Sequence, residues 1–296
     1  MLQVSGLRKR FGSREVLTDV EFSVRAGQVY GLLGANGSGK TTTMNIIGGL
    51  LDPDAGTVTV AGDGSARSRR RHLGIAPQEI ALYPSLTCDE HLRFFGRLYH
   101  LTPRERHAAT AAVISHLGLG PYRQARAATL SGGWKRRLNL AVALVHEPRV
   151  VLLDEPTAGL DVEGQQLVWQ HVRRLAACGA AVLLSTHLLD EAERLCDRLG
   201  MLVHGRIVAQ GSLTGLRRLV PAVEIATVEC ENEQLLRARA AELGIQVRTY
   251  AGGLSLLLRE RTTVAALAQR LGNVGLRSLA LHPVSLIHVF LEHATG

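Results

Sequence analysis

The pattern of apolar and polar residues predicts four strands in the first sixty residues. Leu2–Leu7 and Glu21–Arg25 alternate apolar with polar positions, which is typical of strands with one buried face. Val29–Leu33 is a short apolar run that ends at a glycine, and it predicts a fully buried strand. Gly56–Ala61 also has β character, and the intervening run Thr41–Leu50 predicts a helix.

From residue 87 to residue 209 the pattern alternates between helices and short strands. Residues 87–101 and 103–118 predict two helices in an insertion rich in Leu, Ala and Arg. Val150–Leu153 and Ala181–Leu184 read as buried strands, and each is followed by a helix. The remaining elements are helices over Leu138–Val145, Gly164–Cys178 and Leu188–Leu199, and a hairpin over Met201–Ala209 around His204-Gly205. Strands that alternate with helices predict an α/β domain with a mostly parallel sheet.

A second region is expected after Pro221, which ends a basic linker helix over Gly211–Val220. Its predicted order is β-α-β-β-α-β plus a final helix, with one hairpin around Gly252-Gly253, which is a ferredoxin-like order. We therefore expect a large domain over 1–221, with a helical insertion at about 85–148, and a small α+β domain over 222–296.

Composition narrows the function classes. The 296 residues carry 34 basic and 26 acidic groups, and the excess of +8 lies wholly in 1–221, because 222–296 carries seven Arg and seven Glu. Only three basic residues are lysines and aromatic residues are 4%, so neither a specific nucleic-acid partner nor stacking platforms for single strands are expected. We expect neither a signal peptide nor a membrane span, since no apolar run approaches 18 residues.

A phosphate-binding loop is predicted between the buried strand and the first helix. Gly34-Ala35-Asn36-Gly37-Ser38-Gly39-Lys40-Thr41 fits the pattern G-x-x-x-x-G-K-[ST], with Thr42 next. Glycines at this spacing let backbone N–H groups surround phosphate oxygens, and the helix that follows presents its positive end. Lys40 would bind the β- and γ-phosphates, and the Thr41 hydroxyl would bind Mg²⁺.

An acidic pair supplies the second half of such a site. Asp154 and Glu155 follow the apolar run Val150–Leu153. Asp154 would hold Mg²⁺, and Glu155, which points the other way on an extended backbone, would orient or deprotonate the attacking water.

Leu130-Ser131-Gly132-Gly133, about twenty residues before Asp154, completes a specific set of motifs. With this motif, the phosphate-binding loop and the acidic pair in this order, residues 1–221 resemble the ATP-binding subunit of ABC transporters. That resemblance implies a P-loop cassette with a mixed sheet core, an antiparallel β subdomain and a helical insertion, which binds ATP and Mg²⁺ and hydrolyses ATP.

The resemblance also implies roles for further residues. Gln78 matches the Q-loop glutamine, which approaches Mg²⁺ and the attacking water. Ser131, Gly132 and Gly133 match the signature that binds the γ-phosphate of ATP held by the other cassette, and Asp161 matches the D-loop. His187 matches the switch histidine, which contacts the γ-phosphate.

Two positions depart from the usual pattern of the family. Phe11 stands where the aromatic that stacks on adenine is commonly tyrosine, and stacking needs only a π face. Trp134 stands where the signature often has glutamine, which affects any contact that the glutamine would make.

One P-loop and one signature in a chain imply a head-to-tail pair of cassettes that close two ATP molecules between them. The partner would be a second copy of the chain or a related ATPase. A separate membrane permease is also implied, with this chain bound peripherally at the cytoplasmic face of the cell membrane.

Three functions stay open at this point. Pro283–Leu291 looks like the "P-S-L-E-D-V-F-L" end of ABC-2-type exporter ATPases, except at Ile287 and His288, and this favours an exporter. An importer ATPase with a regulatory C-terminal domain is the alternative, and a soluble ABC ATPase that acts on ribosomes or DNA is the third. The transported substrate lies with the permease. The basic run Arg67–Arg71 predicts either a solvated loop or a contact with anionic lipid headgroups.

Overall fold

The structure, a computed structural model, describes residues 1–63, 65, 69–250 and 253–294. It contains two compact units, Met1–Gln210 and Gly211–Gly296. The strands are β1 (Leu2–Phe11), β2 (Arg14–Val24), β3 (Val29–Leu33), β4 (Ala55–Val60), β5 (Leu73–Ala76), β6 (Val150–Asp154), β7 (Ala181–Thr186), β8 (Arg198–Val203), β9 (Arg206–Gly211), β10 (Glu224–Cys230), β11 (Gln246–Tyr250), β12 (Gly253–Leu258) and β13 (Leu276–Pro283). The α-helices are α1 (Lys40–Ile47), α2 (Cys88–Leu98), α3 (Pro103–His116), α4 (Gly132–Leu144), α5 (Val162–Ala177), α6 (Leu189–Leu195), α7 (Leu213–Arg217), α8 (Glu233–Glu242), α9 (Val264–Leu271) and α10 (Leu286–Ala294).

A six-stranded sheet forms the centre of the first unit, in the order β5-β6-β7-β3-β8-β9. The neighbours from β5 to β8 are parallel, with Leu33 opposite Thr186 and Ala76 opposite Leu153. Every residue of β3, β6 and β7 is buried, which explains their continuous apolar runs. The carboxyl ends of these strands lie at one edge of the sheet, where ligands bind in such folds.

A three-stranded antiparallel sheet, in the order β2-β1-β4, packs on the central sheet. One face of this small sheet contributes Leu2, Val4 and Val20 to a core that also contains residues of β3, β6 and β7. Phe22 stacks on Tyr30 with ring centroids 4.9 Å apart. The alternating patterns of β1 and β2 thus reflect one buried face, and the α/β fold class expected from the sequence is confirmed.

Helices α2, α3 and α4 form the helical insertion. Two capping boxes begin the first two helices, since Thr87 pairs with Glu90 and Thr102 pairs with Glu105 through reciprocal hydrogen bonds. Pro103 occupies the first helical position of α3, where its missing N–H costs nothing. None of the helices in the described ranges is long and apolar enough to cross a membrane.

His146 connects the end of the insertion to the sheet. Its ring stacks on Tyr99, and its Nε2 donates to the Leu73 carbonyl oxygen at 3.0 Å, while Nδ1 is buried without a partner in the described part of the chain. Burial lowers the pKa of His146 to about 4, partly offset by the bond to Leu73. The ring is therefore neutral at pH 7.

This half-buried ring should make the stability of the first unit sensitive to acid. The folded-state pKa of His146 lies below the unfolded value of about 6.5. The contribution of the neutral ring to the free energy of unfolding is therefore lost as pH falls from about 6.5 to about 4. We expect His146→Gln, which keeps a donor for Leu73, to reduce the loss of unfolding free energy between pH 7 and pH 5 by about 1–2 kcal/mol. Urea denaturation at both pH values measures this. His107→Gln, at an exposed position of α3, is the control, and equal pH dependence in the two variants would contradict the assignment.

The second unit is a four-stranded antiparallel sheet in the order β11-β12-β10-β13. Its elements follow the order β-α-β-β-α-β plus a helix, and α8 and α9 supply Leu236 and Leu267 to a core with Leu256. Helix α7 belongs to this unit, packs on α10 and buries Leu216. The division at Gln210 therefore precedes the expected boundary at Pro221, because this segment is not a free linker.

The departure from the exporter tail pattern at His288 has a structural explanation, and the one at Ile287 has none. Nδ1 of His288 accepts a hydrogen bond from the Ser285 backbone N at 3.1 Å. This is the bond that an acidic side chain makes three residues after a capping serine. The imidazole of His288 thus takes the place of the acidic side chain at the start of α10.

The structure differs from two of the predictions of local structure. The predicted helix Leu188–Leu199 ends at Leu195, because Arg198 and Leu199 pair with Tyr30 and Gly31 as part of β8. In the basic run, Arg67 and Ser68 lie outside the described residues, as does Gly252 of the predicted hairpin. Arg69 is buried and donates to the Val58 carbonyl oxygen at 3.2 Å, so this arginine is not part of a solvated loop.

Candidate active site

The loop between β3 and α1 has the shape that its glycines permit. Gly37 and Gly39 have φ of 80° and 110°, in the left-handed region. A Cβ on Gly39 would lie 2.6 Å from Leu17 Cδ2, and one on Gly34 would lie 2.4 Å from the Leu202 carbonyl oxygen. Only glycine therefore fits at positions 34 and 39 without a shift of the surrounding chain.

Lys40 is buried at the start of α1, with 5% of its surface exposed. Its Nζ donates to the carbonyl oxygens of Gly34 at 2.8 Å and Ala35 at 3.1 Å. The Glu155 Oε1 atom lies 4.0 Å away. Burial lowers the pKa of Lys40, while Glu155 and Asp154 act in the opposite direction. The ammonium group is thus held in the loop beside a carboxylate.

Glu155 lies at the meeting point of three strand ends. Its Oε2 accepts from Gln78 Nε2 at 3.1 Å, and its Oε1 is 3.0 Å from His187 Nδ1. Its backbone N donates to the Ser185 carbonyl oxygen at 3.1 Å, and its φ of 49° is unusual for a residue with a side chain. The neighbouring Asp154 accepts a hydrogen bond from the Ser185 hydroxyl. The structure therefore brings together the predicted Glu155, Gln78, His187 and Lys40.

A cavity of about 370 Å³ opens at this edge of the sheet. Its lining contains the predicted residues Asn36, Gly37, Gly39, Lys40, Thr41, Thr42, Gln78 and Glu155. Arg14 and Val16 of β2 also line it, and the sequence analysis did not identify them. The buried Ser38 Oγ has no partner among the described residues, so one polar group of the loop is available to a ligand.

The three predicted metal ligands line a second cavity of about 320 Å³ beside the first. They are Thr41, Gln78 and Asp154, and all three offer oxygen atoms, which Mg²⁺ prefers. The described residues contain no group of three His, Cys, Asp or Glu side chains that could hold a metal ion by themselves. The donor set therefore fits an ion that also takes phosphate oxygens and water.

The remaining predicted residues do not line these two cavities. Phe11, at the end of β1, is half exposed, and the Lys9 Nζ lies 5.7 Å from its ring centroid. Ser131 begins α4, yet its side chain makes no capping bond, and Ser131 and Gly132 are exposed. Asp161 is exposed and accepts from the Gly164 backbone N at 2.8 Å, which caps α5.

Trp134 packs within the helical insertion. Its ring lies 4.3 Å from that of Tyr122, and the Arg137 guanidinium lies 4.3 Å from the Trp134 ring centroid. A tryptophan at this signature position is thus held by neighbours on its own chain.

Comparison with known proteins identifies the family. The ABC transporter family model matches residues 17–158. The Nod factor export ATP-binding protein I of Burkholderia lata is 38% identical over 289 residues, which are 97% of this chain and 94% of that protein. The chain belongs to the family of ABC-transporter ATP-binding subunits. As a member of this family it binds ATP and is an ATPase.

Two further relatives extend the comparison. The linearmycin resistance ATP-binding protein LnrL of Bacillus subtilis is 39% identical over 220 residues, 73% of this chain and 70% of that protein. A solved ATP-binding cassette is a dimer in a post-hydrolysis state bound to ADP and Pi. It has a TM-score of 0.66 and 25% identity, and the match covers 72% of this chain and 99% of that one.

Arg136 is a residue of this ABC subunit that the sequence analysis missed. Its guanidinium donates to the Gln78 carbonyl oxygen at 2.8 Å and reaches the Ala158 carbonyl oxygen at 3.5 Å. Burial lowers its pKa, while Glu155 and Asp154 act in the opposite direction. Arg136 thus ties the signature helix α4 to the segments that follow β5 and β6.

Glu191 is a second missed residue. It is 1% exposed, and its Oε1 accepts from Thr157 Oγ1 at 2.7 Å and from Trp169 Nε1 at 3.2 Å. Its Oε2 is buried without a partner among the described residues. Glu191 therefore connects the segment after Glu155 with α5 and with the helix that follows His187.

Truncation of Glu191 should destabilise the first unit. Glu191→Ala leaves a buried hydroxyl and an indole N–H without an acceptor, so we expect a loss of about 2–4 kcal/mol in the free energy of unfolding. Glu191→Gln keeps one acceptor oxygen and should lose less than half as much. Urea denaturation followed by tryptophan fluorescence measures both, and a loss below about 0.5 kcal/mol in the Ala variant would contradict the contact.

Proposed function

We propose that this chain powers export of a substrate through a separate membrane permease by hydrolysing ATP at the cytoplasmic face of the membrane. The direction of transport is inferred from the similarity to a Nod factor export ATP-binding protein. That similarity spans 97% of the chain and so includes the second unit. The linearmycin resistance protein and the exporter-like end of the sequence support the same direction. An importer ATPase remains the alternative.

The proposed catalytic roles follow from the position of Glu155. With ATP in the cavity, the Glu155 carboxylate would take a proton from the water that attacks the γ-phosphorus, and ADP would leave. Gln78 and His187, which already hold the two carboxylate oxygens, would orient that water and contact the γ-phosphate. Lys40 would move its Nζ from the loop carbonyls to the β- and γ-phosphate oxygens.

The backbone N–H groups of the loop would surround the phosphates, and the Phe11 ring would stack on adenine. Thr41, Asp154 and Gln78 would hold Mg²⁺, which when bound offsets the charge that develops on the phosphate oxygens. The further nucleotide-binding residues are Gly34, Asn36, Gly37, Ser38, Gly39 and Thr42.

We propose that two copies of the chain close over two ATP molecules. The exposed Ser131 and Gly132 and the half-buried Gly133 of one copy would complete the site of the other, with Asp161 at the interface. The Ser131 hydroxyl, which makes no capping bond, and the first N–H groups of α4 suit an anion, because the helix dipole favours negative charge there.

Purification of the chain from detergent-solubilised membranes of its own cells tests the transport role. We expect a membrane protein of about six spans to copurify and to stimulate ATP turnover. Copurification with ribosomes, or stimulation by RNA or DNA, would overturn the proposal in favour of a soluble ABC ATPase. Dependence of the stimulation on a solute-binding protein would instead favour the importer.

A further inference from the structure

A cavity of about 430 Å³ lies at the opposite edge of the central sheet from the ATP site. It is lined by residues of α3 and α5 and by those that precede the amino ends of β6 and β7, such as Arg149 and Ala180. It shares no lining residue with the ATP-site cavity. We call it the amino-edge cavity. Its volume is within the range typical of small-molecule sites.

The charges around the amino-edge cavity are unbalanced. Arg149 and Arg174 line it at exposed positions, and neither guanidinium forms an ion pair or hydrogen bond within the described ranges. Glu147 is the acidic residue of the lining, and it is exposed and makes no ion pair within those ranges either. Two permanent positive charges thus border an otherwise largely apolar surface.

The histidines of the lining add an unsatisfied polar group. His171 is 6% exposed, and its Nε2 is buried without a partner among the described residues. The His116 ring centroid lies 5.9 Å from that of His171. Burial, with His116 and Arg174, lowers the pKa of His171 to about 4. Among the described residues no acidic side chain, Glu147 included, forms an ion pair with this cluster, which leaves room for an anionic ligand to do so.

We propose that the amino-edge cavity binds an amphipathic organic anion. Its carboxylate or sulfonate group would lie against Arg149 and Arg174, and its apolar body would lie against Val113, Leu144 and Leu175. Arg and an oxyanion form charge-assisted hydrogen bonds, and the aliphatic lining suits an apolar body. A bound anion would contact both α3 of the helical insertion and α5 beside the sheet.

The fluorescent sulfonate 8-anilinonaphthalene-1-sulfonate is the probe, used on the full chain with saturating ADP to occupy the ATP site. We expect saturable binding of one molecule. N-phenyl-1-naphthylamine has the same rings without the sulfonate and serves as the uncharged comparison. Arg174→Gln should weaken sulfonate binding about fivefold and leave binding of the uncharged probe unchanged, because it removes one partly exposed ion pair. Arg206→Gln, at an exposed position outside the cavity, is the matched control.

A pair of alanines on α3 tests the location. Ala112 lines the cavity and Ala111 is exposed on the same helix. We expect Ala112→Phe to weaken binding of both probes at least about tenfold by filling the space, and Ala111→Phe to bind like the original chain. Circular dichroism tests whether both alanine variants fold. If Ala112→Phe does not fold, the binding measurements on Arg174→Gln decide the proposal. Unsaturable binding, equal effects of the two arginine variants, or full binding by a folded Ala112→Phe would each overturn the proposal and leave the ATPase role untouched.

Discussion

Replacement of Glu155 by Gln is expected to lower ATP turnover by about 100-fold to 10,000-fold, because a general base contributes that much to a hydrolytic step. The amide has the shape of the carboxylate and can still contact Gln78, yet it accepts no proton from water. ATP binding should remain, since Lys40 and the glycine loop are unchanged. The variant should therefore accumulate as an ATP-bound dimer.

Two measurements on Glu155→Gln separate these effects. Steady-state phosphate release gives the loss of turnover, and light scattering with and without ATP gives the state of association. Glu21→Gln, at an exposed position of β2, is the matched control and should match the original chain. Normal turnover by Glu155→Gln would contradict the role of the carboxylate, and a monomer in saturating ATP would contradict closure on ATP.

Replacement of Lys40 by Ala should weaken ATP binding about 10-fold to 100-fold, which corresponds to the loss of charge-assisted hydrogen bonds to phosphate. The buried ammonium is the cation nearest to Glu155 in the loop, and removal also leaves the Gly34 and Ala35 carbonyl oxygens without their donor. Isothermal titration with ADP and with a non-hydrolysable ATP analogue measures both affinities.

Lys40→Arg separates charge from shape. The guanidinium keeps the positive charge, but it is planar and larger than the ammonium at a site that is only 5% exposed. We expect Lys40→Arg to bind nearly as weakly as Lys40→Ala, and Arg206→Ala to bind normally. Full affinity in Lys40→Arg would show that charge alone suffices and that the tight fit of the loop is unimportant.

The parts of the site that could be predicted are those in which chemistry constrains neighbouring residues. Gly34 and Gly39 tolerate no Cβ, and Lys40 follows directly, so a short motif contains most of the phosphate loop. The same is true of the capping boxes at Thr87 and Thr102, where two residues three apart begin a helix.

The parts that could not be predicted depend on contacts between distant segments. Arg136 meets the Gln78 carbonyl oxygen only when α4 packs beside β5, and Glu191 meets Thr157 only when α6 packs beside the end of β6. The sequence pattern at Arg198 is helical, but this residue pairs in parallel with Tyr30 as part of a strand, and the pairing buries Leu199 in the sheet. In each case tertiary packing decides what local sequence leaves open.

The central claim is that each ATP site needs the loop of one chain and the signature of another. Lys40→Ala disables the first and Ser131→Arg the second, so each variant alone should be nearly inactive. When the two are mixed, each mixed dimer has one intact site, and we expect recovery of about one quarter of the original ATP turnover, because half of the dimers are mixed. Turnover of the mixture no greater than that of the separate variants would contradict the shared site.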